Sequence, residues 1–174
     1  VDGKVAVENV AVSRKTQERF EKQSLLFYTG VTRSSEEFLR EQHQKIKRGE
    51  KEALELKHQI KRIGQEIHNA FETDDLDTFG SLMDEHWNLK KSMSNKMSSR
   101  AFDEVYKKPK KAGALGGKIL GAGGGGFFLM YCKEGAEEAV RKVFKKNNMR
   151  EISIRVDSGG TQILVNRPRI NNTI

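Results

Sequence analysis

GGKILGAGGGGFFLMYC, residues 116–132, decides how this chain is to be folded. Two apolar runs flank a loop made almost wholly of glycine, from Gly121 through Ala122 to Gly126. The flanking runs, Ile119–Leu120 and Phe127–Cys132, are too short for buried helices and carry β-forming residues, so the stretch predicts strand, loop, strand. Fixing four consecutive glycines costs more backbone entropy than fixing any other residue type. Such a run therefore implies a task. Either its bare amides line a concave anion site, or another segment presses close against it. It is no Walker A loop, because no Gly-Lys-Ser/Thr follows, and no dinucleotide fingerprint, because a strand rather than a helix comes next.

Outward from the loop, Ala136, Ala139, Val140, Val143 and Phe144 mark a helix, and Ile152, Ile154 and Val156 alternate as a half-buried strand. Ser158, Gly159 and Gly160 predict a turn into a last strand at 161–166, and the tail 167–174 is expected to fray. Toward the N-terminus, a helix over 100–111 ends before Gly113, with Pro109 an awkward guest in its last turns. From 51 to 71, Ala53, Leu56, Ile60, Ile63, Ile67 and Ala70 recur at steps of three and four, one apolar stripe on a long helix. Thr73–Asp75 break it and cap the next helix, where Leu76, Phe79 and Met83 continue the stripe until His86, Trp87 and Lys90 interrupt it. That helix is expected to leave the core at its C-terminal end. Ser34 with Glu37 forms a capping box, Ser24–Thr29 reads as a strand, 14–22 as a short charged helix and 5–13 as a further strand. Strands with helices between them make the fold class α+β: a ferredoxin-like antiparallel sheet with helices on one face, plus extra helices, in one domain over 1–174.

Composition narrows the function. The net charge of +8 invites nucleic acid, but 32 basic residues are dispersed among 24 acidic ones, without zinc-finger spacing or an aromatic RNA-recognition signature. No nucleic-acid partner is expected. No apolar run of membrane-spanning length occurs, so no membrane partner is expected. The one cysteine, Cys132, precludes an intrachain disulfide and fits a reducing cytoplasm. The four histidines show no metal-ligand spacing, and no metal site is expected. The chain opens on Val1 rather than Met, which suggests a piece of a longer protein.

GALGGKILGAGGGGFFLMYC, residues 113–132, resembles the third conserved motif of the GHMP kinases, in the form found in their heptose 7-phosphate kinase branch. LLFYTGVTRSS (25–35) resembles that branch's strand-to-helix passage, and DLDTFGSLMDEHWNLKKSMS (75–94) its helix with Trp, two basic residues and Ser. The resemblance implies a GHMP kinase C-terminal domain whose ATP-binding N-terminal domain is absent here. It implies transfer of the ATP γ-phosphate to C1 of D-glycero-D-manno-heptose 7-phosphate, for nucleotide-activated heptose. Fucose or galactose as acceptor, and a free-standing ferredoxin-like binding module, are the alternatives. ATP and Mg2+ are the implied cofactors, held mainly by the missing domain, and no catalytic residue is expected in this part.

Site residues follow from the resemblance. Gly121, Ala122, Gly123, Gly124, Gly125 and Gly126 would line the nucleotide phosphates. Arg33, Trp87, Lys90, Lys91, Ser94 and Lys118 would take the sugar phosphate, with the Trp87 ring against the sugar and the cations on its phosphate. Pro109 departs from the branch pattern. The chain's own N-terminal kinase domain is the expected partner, and the face left open without it is expected to self-associate, as a homodimer, or to be partly disordered near the glycine loop. Alone, the chain is expected to fold but not to turn over ATP.

Overall fold

The computed structural model describes residues 10–31, 51–93, 98–121, 125–157 and 159–160, with positions 7, 40, 43, 44 and 47. The chain runs α1 (Arg14–Gln23), β1 (Ser24–Tyr28), α2 (Lys51–Glu72), α3 (Leu76–Ser92), α4 (Arg100–Lys111), β2 (Ala114–Ile119), β3 (Phe127–Cys132), α5 (Glu137–Lys146) and β4 (Arg150–Ile152). Side chains at helix entrances set several boundaries. Ser13, Asp75 and Ser99 accept from the amides of Thr16, Thr78 and Phe102, meeting donors that the first helical turn leaves orphaned.

The four strands form one antiparallel sheet in the order β2-β3-β1-β4. With α4 leading into β2 and α5 joining β3 to β4, this is the ferredoxin-like arrangement expected. Alternation along β3 divides the core. Phe128, Met130 and Cys132 join Leu25, Phe27, Val140 and Phe144 in a cluster beneath α4 and α5, where the Phe27 and Phe144 rings stack at 4.0 Å. Tyr131 and Leu129 point the other way, into a cluster with Ala70, Leu76, Phe79 and Met83 of α2 and α3. The extra helices thus cover the second face of the sheet.

Two strand expectations are not met as stated. Of the strand expected over 5–13, residues 10–13 are unpaired coil, with Ser13 committed to capping α1, while residues 5, 6, 8 and 9 lie outside the described residues. The strand expected around Ile152–Val156 is instead Arg150–Ile152, pairing with Tyr28, Phe27 and Leu26. Beyond it the chain peels from β1, and the Val156 amide donates to the Glu21 carboxylate of α1 at 2.8 Å. The Ser34–Glu37 capping box, the strand at 161–166 and the tail 167–174 lie outside the described residues. Among the described residues, no helix is long and apolar enough to cross a membrane.

Candidate functional site

Close packing of α3 on β2 builds the site. Gly116 makes it possible: a Cβ there would lie 2.1 Å from the Gly80 carbonyl oxygen and 2.7 Å from the Asp84 amide. With nothing between them, helix backbone rests on strand backbone, and the last turns of α3 reach the exit of β2. There Lys90 donates to the Gly121 carbonyl at 2.7 Å.

The far side of the loop is tied to the end of β1. Thr29 donates from its amide (2.9 Å) and its hydroxyl (3.0 Å) to the Gly126 carbonyl, and the Gly126 amide donates to the Val31 carbonyl at 2.7 Å. Gly125 is buried against the same segment, where a Cβ would stand 2.6 Å from the Val31 oxygen. This corrects part of the expected amide cradle. The Gly126 amide already has its acceptor, so it continues the β1–β3 ladder and is not open to a phosphate. Gly121 is exposed, while Ala122, Gly123 and Gly124 lie outside the described residues.

Beside the loop, His86, Lys90 and Lys118 gather, all half-buried. Burial, then the Lys118 and Lys90 charges, push the His86 imidazole down to about 4, so it is neutral at physiological pH. Burial and Lys118 lower the Lys90 ammonium, and burial lowers Lys118. Among the described residues neither lysine pairs with a carboxylate. Two adjacent ammonium groups, partly stripped of water and without a carboxylate partner among the described residues, favour an anion.

The neighbouring candidates behave differently. Trp87 is completely buried, in the cluster with Tyr106 and Phe128. An indole removes about 200 Å² from water, worth about 5 kcal/mol at 25 cal/mol per Å², so its ring does not swing out to meet a sugar. The expectation of a Trp87–sugar stack is corrected: α4 brings Tyr106 over that face, with the two rings 6.2 Å apart. Lys91 is likewise engaged, 3.3 Å from Asp103 and 5.8 Å from the Trp87 ring centre. Arg33 and Ser94 lie outside the described residues. No residue pattern signals the tie that fixes α4 here: the Tyr106 hydroxyl stands 2.7 Å from Asp84 Oδ1 and 2.9 Å from the Gly117 carbonyl. Burial and the Asp84 carboxylate hold that phenol well above its ordinary pKa, so it stays a donor. Among the described residues no three His, Cys, Asp or Glu side chains converge as metal ligands.

Residues 67–148 match the family described as GHMP kinases C terminal. The chain is 29% identical over 128 residues to the D-glycero-alpha-D-manno-heptose 7-phosphate kinase of Campylobacter jejuni, covering 74% of this chain and 37% of that protein. It is 28% identical over 124 residues to the L-fucokinase/L-fucose-1-P guanylyltransferase of Bacteroides fragilis, covering 71% of this chain and 13% of that one. Among solved structures, the mevalonate kinase of L. major in complex with R-mevalonate superposes with a TM-score of 0.68 at 22% identity, over 83% of this chain and 42% of that one. The chain thus spans well under half the length of each of these relatives.

Proposed function

We propose, on the premise that residues 67–148 carry a GHMP kinase C-terminal domain, that the chain is the acceptor-binding part of an ATP-dependent sugar-phosphate kinase. The reaction we assign is transfer of the γ-phosphate to C1 of D-glycero-D-manno-heptose 7-phosphate. Lys90 and Lys118 carry this reading, because a half-buried cation pair without a carboxylate partner among the described residues suits an acceptor that brings its own charge. A neutral sugar such as fucose would leave both ammonium groups uncompensated. The similarity to the heptose 7-phosphate kinase supports the same acceptor.

In this reading Lys90 and Lys118 hold the 7-phosphate, with Arg33 and Ser94 as further contacts. The loop from Gly121 lies beside the ATP phosphates. Phosphoryl transfer relies on positioning and on charges aimed at the moving group, and this chain supplies the acceptor side of both. ATP itself is held by a partner half of the kinase, docked at the glycine-loop end. Magnesium arrives with ATP and is held by that half. The assembled kinase works in the cytoplasm.

The test is steady-state kinetics on the chain joined to an ATP-binding half, with Lys90→Ala and Lys118→Ala. Each lost charge-assisted contact is worth about 1.5–3 kcal/mol, so the acceptor KM should rise roughly ten- to a hundredfold while the ATP KM stays put. The unjoined chain should show no turnover. Equal rises in both KM values, or equal use of unphosphorylated heptose, would refute the assignment.

A further inference from the structure

His86 is the member of the basic corner that the acceptor reading leaves without a task. It stands four residues before Lys90 on α3, so the two side chains lie one above the other on the same helix face. Lys118 approaches from β2. It follows Gly116 by two residues and shares its strand face, the face seated on α3, where a Cβ on Gly116 would lie 2.9 Å from the Asp84 Cβ. Farther along α3, Lys90 Nζ donates to the carbonyl of Gly121 at 2.7 Å, just beyond the strand that carries Lys118. Close packing of helix on strand thus crowds an imidazole and two ammonium groups into one half-buried corner.

Burial, then the charges of Lys118 from β2 and Lys90 from its own helix, hold the imidazole at a pKa of about 4. No carboxylate of the described residues offsets those two cations at the ring. Its Nδ1 is buried and has no hydrogen-bond partner among the described residues. Nothing in the described chain therefore favours the charged ring. An anion between the ammonium groups would reverse that balance. It would cancel their repulsion and add an attraction of its own, leaving burial alone to oppose the proton.

We infer that His86 makes this anion site proton-linked: a phosphate monoester seated between Lys90 and Lys118 draws a proton onto the imidazole, and the site grips its phosphate harder as the medium acidifies. Linkage is reciprocal, so whatever factor the anion adds to proton affinity, the proton adds to anion affinity. The coupling acts through charge and needs no contact between ring and phosphate. A neutral sugar would draw no proton. The inference rests on reading Lys90 and Lys118 as an anion site, and it assigns that site a third, conditional cation.

The experiment uses sulfate, which stays fully ionised over the range needed, and the 174-residue chain at constant ionic strength. NMR follows the four histidine rings and the Gly121 amide. Saturating sulfate should move the His86 midpoint from about 4 to between about 5.5 and 6, leaving His43, His58 and His68 in place. That shift predicts a sulfate Kd, read at Gly121, roughly four- to tenfold tighter at pH 5 than at pH 7.5. In His86→Gln, whose fold a thermal melt at each pH checks, the gain should fall below about twofold. Lys118→Ala should weaken sulfate binding at both pH values. If sulfate shifts Gly121 but leaves the His86 midpoint unmoved, or if His86→Gln keeps the full pH dependence, the inference falls while the anion site stands. If sulfate leaves Gly121 untouched at both pH values, the anion site falls with it.

Discussion

Gly116→Ala is the sharpest test of how the site is built. The new methyl would stand 2.1 Å from the Gly80 carbonyl oxygen, 2.7 Å from the Asp84 amide nitrogen and 2.9 Å from the Asp84 Cβ. Two of these atoms are helix backbone, so no rotamer change can relieve them. To restore ordinary contact α3 must back away from β2 by about 1 Å, taking with it a helix that buries Leu76, Phe79, Leu82, Met83 and Trp87. Overpacking of this kind costs about 1–3 kcal/mol, and a clash of backbone on backbone belongs at the upper end. For a chain of this length about 3 kcal/mol lowers Tm by roughly 6–12 °C. Circular-dichroism melts and urea unfolding of the whole chain would measure it, and an unchanged urea slope would show that the denatured state is not the cause. Because Lys90 rides on α3, NMR should also show the Gly121 resonance shifting with loss of its contact. A Tm change too small to measure would mean that α3 is not seated on β2 through Gly116.

Gly64, on the exposed face of α2, has nothing within 4 Å of an added Cβ. Gly64→Ala should therefore stabilise the chain by about 0.5–1 kcal/mol, read as a higher urea midpoint, and a lower midpoint would mean that this face is covered. His86 predicts a pH effect: its native pKa of about 4 lies below the 6.5 of an unperturbed imidazole. The unfolded state then binds the proton first, so stability is full above pH 6.5 and drains away as pH falls toward 4. The loss would be up to about 3 kcal/mol unscreened, and about 1–2 kcal/mol after solvent screening. Comparing urea midpoints of the native chain and His86→Gln at pH 7 and pH 5 isolates this from the carboxylates, and identical pH dependence in both would refute it.

Local chemistry explains which features were legible in the sequence. The α2 stripe, the Asp75 cap and the glycine loop between two strands are set by neighbours in the chain, and each was found close to where its pattern put it. Strand ends were not legible in the same way. Whether Ile154 and Val156 pair depends on what β1 offers opposite them, and the Glu21 carboxylate of another helix takes the Val156 amide instead. Trp87 misled for a related reason. Spacing places it on one face with Lys91, but only the approach of Tyr106 from α4 decides whether that face meets water or core.

Lys90 and Lys118 show where the two kinds of information meet. Each could be named from its own segment, but their juxtaposition depends on the distance between α3 and β2. That distance is set by Gly116, two residues before Lys118 and opposite Gly80. The small residues that open the strand thus act on the site before the glycine loop begins. They bring a helix down until its last turn reaches the loop, and two cations that would otherwise sit apart in water come to share one half-buried corner. The proposed anion site is in this sense a product of missing side chains. An alanine at 116 should therefore weaken it although no charge has been touched.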